Sequence, residues 1–162
     1  MVARVWHRTR IIMALIPWLV LPFGLYWWLE PAPARVIYAA PSFTSVPVAS
    51  REEAERFAIS EATAGSVVYR YVEWCNDKPY QATMRRAWIG SALVIHAPDY
   101  PSVLAGRTGC FARSNAIEVP PVLARAHYEY SHSLLITVNW LRDVELRHAW
   151  IGLTITPAKA AE

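Results

Sequence analysis

Leu134-Leu135-Ile136-Thr137-Val138-Asn139-Trp140 (LLITVNW, 134–140) alternates in a way only a strand explains. Leu134, Ile136, Val138 and Trp140 share one face of an extended chain, and Leu135, Thr137 and Asn139 share the other. Working outward, the same period of two recurs. Ser66–Trp74 (SVVYRYVEW) is β-branched and aromatic, runs into Cys75, and meets turn residues at Asn76-Asp77-Lys78-Pro79. Residues 82–89 and 91–97 read as two more strands, interrupted at Gly90. Residues 98–109, rich in Pro, Asp, Ser and Gly, read as a long loop leading into Cys110. Pro120-Pro121 opens a strand at 122–130, and a final run covers 144–156. Short strands with a turn signal about every ten residues predict an antiparallel β-sandwich over 66–157, followed by a polar tail at 158–162. A βαβ fold is disfavoured.

Upstream of the strands the pattern changes. Ser50 followed by Glu53 is a capping box, and Ala54, Phe57, Ala58 and Ala62 recur at helical spacing, which predicts a short amphipathic helix over 50–65 ended by Gly65. Residues 30–49 carry Pro31, Pro33, Pro41 and Pro47 among small residues and read as an extended stalk, with Val36-Ile37-Tyr38 as a candidate strand inside it. Residues 11–29 (IIMALIPWLVLPFGLYWWL) hold no charge. As a helix they would be about 28 Å long, close to the ~30 Å hydrocarbon core of a bilayer. Tyr26, Trp27 and Trp28 stand where interfacial aromatics stand. Arg4, Arg8 and Arg10 mark residues 1–10 as a basic cytoplasmic tail by the positive-inside rule. The expected topology is therefore an inner-membrane anchor with the N-terminus inside and the bulk of the chain in the periplasm. The alternative is a cleaved signal peptide with Ala32-Pro33-Ala34 as its cleavage pattern; the length of the apolar run argues for the anchor.

Composition narrows the function classes. The chain is 54% hydrophobic and 18% charged, which excludes a disordered solvating segment. Its net charge of +3 belongs to the N-terminus: residues 35–162 carry thirteen basic and twelve acidic side chains. No basic stripe remains for a nucleic acid. Cys75 and Cys110 are the only cysteines and form no metal-like cluster. In an exported domain such a pair is expected to form a disulfide.

The catalytic motifs GxSxG, HExxH, GxGxxG, SxxK and the P-loop are absent. His96, His127, His132 and His148 are scattered. His127 and His132 lie five apart and so on opposite faces of a straight strand, giving no expectation of a metal or cofactor. Glu73 and Glu129 are the acids that fall within expected strands among large aromatics and would be the pair used by a glycan hydrolase. Acids in strands more often point to water, so the expectation is no catalysis. One echo stands out: Arg85-Arg86-Ala87-Trp88-Ile89-Gly90 returns as Arg147-His148-Ala149-Trp150-Ile151-Gly152. It reads as two similar strand bends, each with a core tryptophan and a glycine at a bulge.

Val72–Cys75, Gly109-Cys110, Pro120-Pro121 and Tyr128–Tyr130, behind a basic tail and one apolar span, resemble small single-pass membrane proteins encoded by bacteriophages and prophages. The resemblance implies an immunoglobulin-like ectodomain. Thr108 departs from the immunoglobulin pattern, which has a tyrosine two residues before its second cysteine. The reading reached is a membrane-anchored exported β-domain whose partners are the lipid bilayer and an envelope protein or a carbohydrate. The alternatives are the glycan hydrolase and a secreted binding protein.

Overall fold

The LLITVNW stretch is the second half of one uninterrupted fourteen-residue strand, β9 (Ala126–Asn139), which organises the larger of two sheets. The computed structural model describes residues 17–18, 20–101 and 106–157. In chain order the elements are α1 (residues 20–29), β1 (Ala34–Ala39), β2 (Phe43–Thr44), α2 (Arg51–Arg56), β3 (Ala58–Ile59) and β4 (Glu61–Thr63). There follow β5 (Val67–Asn76), β6 (Gln81–Ile89), β7 (Val94–Pro101), β8 (Gly109–Glu118), β9, β10 (Arg142–Arg147) and β11 (Ile151–Thr156). The protein is mainly β and forms a two-sheet sandwich.

In the first sheet β5 is central. β8 runs antiparallel along its whole length on one edge, while β1 and β2 share the other edge and β3 lies outside β2. In the second sheet β9 is central. β6 and then β7 lie on one side; β11 and β10 divide the other side between them, with β4 parallel to β11 outside it. Between the sheets Phe43, Val68, Trp88, Ile117, Tyr130, Ile151 and Leu153 form the main core. The ring centroids of Trp88 and Tyr130 are 4.9 Å apart, and those of Phe43 and Trp88 5.9 Å. A smaller cluster of Ala40, Val48, Ala54 and Tyr71 lies beneath α2 on the outer face of the first sheet.

Several expectations are corrected. The stalk expected at 30–49 is largely part of the first sheet, because its prolines fall at strand ends and no ladder donor is lost. Pro33 precedes β1 and its carbonyl accepts from the Asp77 N–H at 2.8 Å. Pro41 separates β1 from β2, and Phe43 and Thr44 are fully buried. The helix expected at 50–65 stops at Arg56. Its N-cap is as read, with Ser50 Oγ accepting from the Glu53 N–H at 3.2 Å, but only Ala54 of the apolar set is buried within it. The chain then turns extended as β3 and β4. Gly65, at φ +80°, serves the turn into β5 instead of ending a helix. The loop expected over 98–109 begins as β7, an edge strand that tolerates Pro98, and ends at β8. Residues 122–130 and 134–140 are not two strands; β9 continues through Ser131-His132-Ser133.

The echo is real but out of phase. Trp88 and Ile151 both lie beside Tyr130, one from each flanking strand. Trp88 is buried, whereas Trp150 is exposed and contributes nothing to the core, so the expected core role of Trp150 is withdrawn. No bulge falls at either glycine; both glycines make room for side chains of β9. A Cβ on Gly90 would stand 2.7 Å from the Tyr128 ring, and one on Gly152 would stand 2.8 Å from the His127 ring.

The expected basic tail with Arg4, Arg8 and Arg10 lies outside the described residues, as do 11–16 and 19 of the expected span and the tail at 158–162. Among the described residues no helix is long and apolar enough to cross a membrane. What is described of the span is helical, and Leu21, Phe23, Leu25, Tyr26, Trp28 and Leu29 are exposed around it.

Candidate functional site

The inward phase of β5 reads Val68, Arg70, Val72, and that of β9 reads Tyr128, Tyr130, His132. An arginine is thereby placed between two sheets, opposite a histidine. Arg70 is fully buried. Its NH2 donates to the Ala149 carbonyl at 2.8 Å and its Nε to the Ala40 carbonyl at 3.4 Å, while NH1 finds no hydrogen-bond partner among the described residues. Burial pushes its pKa down to about 10, so it stays protonated at neutral pH.

His148, in the link between β10 and β11, closes on His132. Its backbone N–H donates to the His132 carbonyl at 3.0 Å, and the two rings are 4.5 Å apart. His132 Nε2 and His148 Nδ1 are buried without a hydrogen-bond partner among the described residues. Burial holds His132 down at about 3, helped by the nearby His148, Arg70 and Arg86; burial and then Arg70 hold His148 at about 4. Both imidazoles are neutral at pH 7.

His132 and His148, but not Arg70, line a cleft of about 280 Å³ between the sheets. Val72, Trp74, Met84, Leu134 and Leu146 form its apolar walls, and Arg35 and Arg113 also line it. Among the described residues no carboxylate does. A second hollow, of about 320 Å³, is bordered by Arg86, Trp88, His96, Glu118 and Tyr130. Among the described residues no cluster of three His, Cys, Asp or Glu could hold a metal ion.

The acids singled out in the sequence lie elsewhere. Glu73 is on the outer face of the first sheet, beneath α2. Arg51 grips it through Nε at 2.9 Å and NH2 at 2.5 Å, and the Tyr71 hydroxyl donates to it at 2.9 Å. The Arg51 bond holds the Glu73 carboxyl below the usual carboxylate range, so it is ionised. Glu129 occupies the outward phase of β9, beside Ile89 and Gly152 on the outer face of the second sheet. With both sheets between them, the two carboxylates cannot converge on one bond.

Cys75 and Cys110 are bonded, directly opposite each other in the β5–β8 ladder. At the same end of the sandwich, where Arg35 pairs with Cys75, the end of α1 is tied to it. Glu30 pairs with Lys78 and accepts from Asn139 Nδ2 at 3.1 Å. The same Asn139 amide donates to the Trp27 carbonyl at 3.0 Å, and Arg142 donates to the carbonyls of Trp28 and Glu30. The Trp27 ring packs edge-on against Trp140, 5.3 Å between centroids. Tyr26 and Trp28 remain exposed.

Sequence reasoning missed Arg70, His132 and His148 as a group. Only His132 carried a signal, since it shares the inward phase of β9 with Tyr128 and Tyr130.

No family model matches the chain, and no curated protein matches it. Among solved structures the chain is similar to the C-terminal domain of Wzt, at a TM-score of 0.50 and 12% identity over 80% of this chain and 77% of that one. At that identity the likeness concerns the fold alone. A match to a Pseudomonas fluorescens alkylpurine DNA glycosylase, AlkC, bound to DNA containing an abasic-site analogue, has a TM-score of 0.39 and 10% identity. It covers 80% of this chain and 32% of that one, and carries no argument.

Proposed function

We propose that this chain is a membrane-anchored, exported β-sandwich that binds or positions a partner at the cell envelope without catalysing a reaction, in the manner of the phage-encoded membrane proteins it resembles. The observation that supports this best is the junction between α1 and the sandwich. An apolar helix exposed on several sides favours a non-aqueous surrounding, and here it meets the domain through a polar collar of Glu30, Lys78, Asn139 and Arg142. Charged and amide side chains beside Trp27, Trp28 and Trp140 are the composition of a bilayer boundary. That composition supports an inner-membrane location, with residues 1–10 proposed to lie inside and the disulfide-bonded sandwich outside. The secreted alternative is disfavoured because cleavage after Ala34 would remove a buried residue that pairs with Asn76 in β1. For the partner, an envelope protein is the leading class. A glycan is the second, favoured by Trp74 and Tyr80 in the wall of the cleft.

The test joins fractionation to capture. The intact chain should resist alkaline carbonate extraction, and mild-detergent purification should retain a partner. Glu73→Gln and Glu129→Gln should each leave that capture within a fewfold of the parent. A soluble species beginning near Arg35 would overturn the anchor; folded Glu73→Gln protein lacking all activity would overturn the non-catalytic reading.

A further inference from the structure

We infer that the tip of the β9–β10 hairpin, Trp140-Leu141, is a second lipid-contacting element, which seats the sandwich directly on the bilayer surface beside α1. That placement takes α1 as a membrane anchor, as proposed above, and adds a contact made by the β-domain itself. Three features of the hairpin converge on a lipid surface.

The first is the chemistry of the turn. Asn139 pairs with Arg142, so β9 and β10 are joined by Trp140 and Leu141 alone. Two-residue turns that face water are built mainly from Asn, Asp and Gly. Here the two residues are a tryptophan 75% exposed and a leucine 56% exposed. A single apolar side chain on a surface is ordinary; two large ones at one projecting turn, adjoining the exposed Trp28 and Leu29 of α1, mark an interaction site.

The second is depth. Trp27 lies in the last turn of α1, at the outer end of the uncharged run 11–29. Its ring meets that of Trp140 edge-on, 5.3 Å between centroids, so the Trp140 indole stands level with an aromatic of the expected membrane boundary. An indole is suited to that level, its ring against the acyl chains and its N–H toward the headgroups.

The third is rigidity. The last carbonyls of a helix find no partner within it. In α1 the Trp27 carbonyl accepts from Asn139 Nδ2 at 3.0 Å, and the Trp28 carbonyl accepts from Arg142, which also reaches the Glu30 carbonyl. The Asn139 side chain in turn accepts from the Leu141 N–H at 3.0 Å, so one amide both closes the turn and caps the helix. Only residues 30–33 separate α1 from β1. Helix end and hairpin tip therefore hold one geometry, and the sandwich stands on the membrane without an intervening stalk. A partner of the domain is then met close to the headgroups.

The test reads the depth of the tip in the full chain, in nanodiscs of phosphatidylcholine and phosphatidylglycerol. Both native cysteines are bonded to each other, so one introduced cysteine takes a nitroxide label selectively. Leu141→Cys and, separately, Trp140→Cys are compared with Val122→Cys, a position 72% exposed beyond the far end of β8, with folding of each verified by circular dichroism. By power-saturation spin resonance, the ratio of oxygen to nickel-chelate accessibility should be at least about threefold higher at both tip positions than at Val122, as expected for a hydrocarbon-side location. A nickel-accessible tip at both positions, in chain that has entered the nanodiscs, would place it in water and overturn the inference while leaving the anchor intact. Labels shielded from both agents and broadened by a second label would overturn it in favour of contact between two copies. Recovery of the parent chain outside the nanodiscs would overturn the anchor reading, and the seating built on it.

Discussion

Mild acid should unfold this protein through its two buried histidines. In the unfolded chain each imidazole titrates near 6.5, whereas in the fold His132 is held at about 3 and His148 at about 4. The unfolded state therefore binds more protons across the interval between those values, and stability falls as the pH is lowered through it. The contribution is complete above 6.5 and is lost progressively below. A pH of 5.0 lies about 1.5 units below the unfolded imidazole value and still above both folded values, which amounts to roughly 2 kcal/mol per histidine and about 4 kcal/mol for the pair at 1.36 kcal/mol per unit. The carboxylates lowered by their partners, Glu30, Glu73 and Glu145, act in the same direction only below their ordinary value of 4.5, so pH 5.0–7.5 isolates the imidazoles. With a urea slope of about 2 kcal/mol per molar, the unfolding midpoint should drop by roughly 2 M between pH 7.5 and 5.0. Urea titrations followed by circular dichroism at the two pH values measure this directly. His148→Gln should remove about half of the difference. An identical midpoint at both pH values, or an NMR titration of His132 near 6.5, would refute the buried-imidazole account.

Two further outcomes follow from packing and covalent structure. Cys75→Ser opens a loop of 35 residues between β5 and β8 and should cost roughly 2–5 kcal/mol, with neither thiol of the parent protein open to labelling before reduction. Trp88→Ala should cost about 3–5 kcal/mol because the indole is 3% exposed between Phe43 and Tyr130, while Trp150→Ala, at a position 51% exposed, should cost under about 1 kcal/mol; equal losses by urea titration would disprove the phase assigned to the echo.

The strand class was written into local pattern. Alternation at 134–140 and the β-branched run at 66–74 determined β9 and β5, because a period of two forces alternate side chains to opposite faces whatever the neighbouring strands are. The N-cap at Ser50 was equally local, since a hydroxyl one turn from an amide needs nothing beyond the helix itself. The same locality misled where long-range pairing decided the outcome. Phe57, Ala58 and Ala62 have helical spacing, but β2 and β11 take residues 58–63 into their ladders. The prolines of 30–49 suggested a stalk until β5 supplied a partner for Ala34–Ala39. Phase was the deepest gap. Nothing in SVVYRYVEW says whether Arg70 or Glu73 faces inward, and an arginine argues for the water side. Only the second sheet, bringing Trp88, Tyr130 and His132 against Val68, Arg70 and Val72, decided that Arg70 is interior and Glu73 lies outside on Arg51. His132 and His148 are sixteen residues apart and share no local element; the β10–β11 link folds one ring onto the other, and no period along the chain could have announced it.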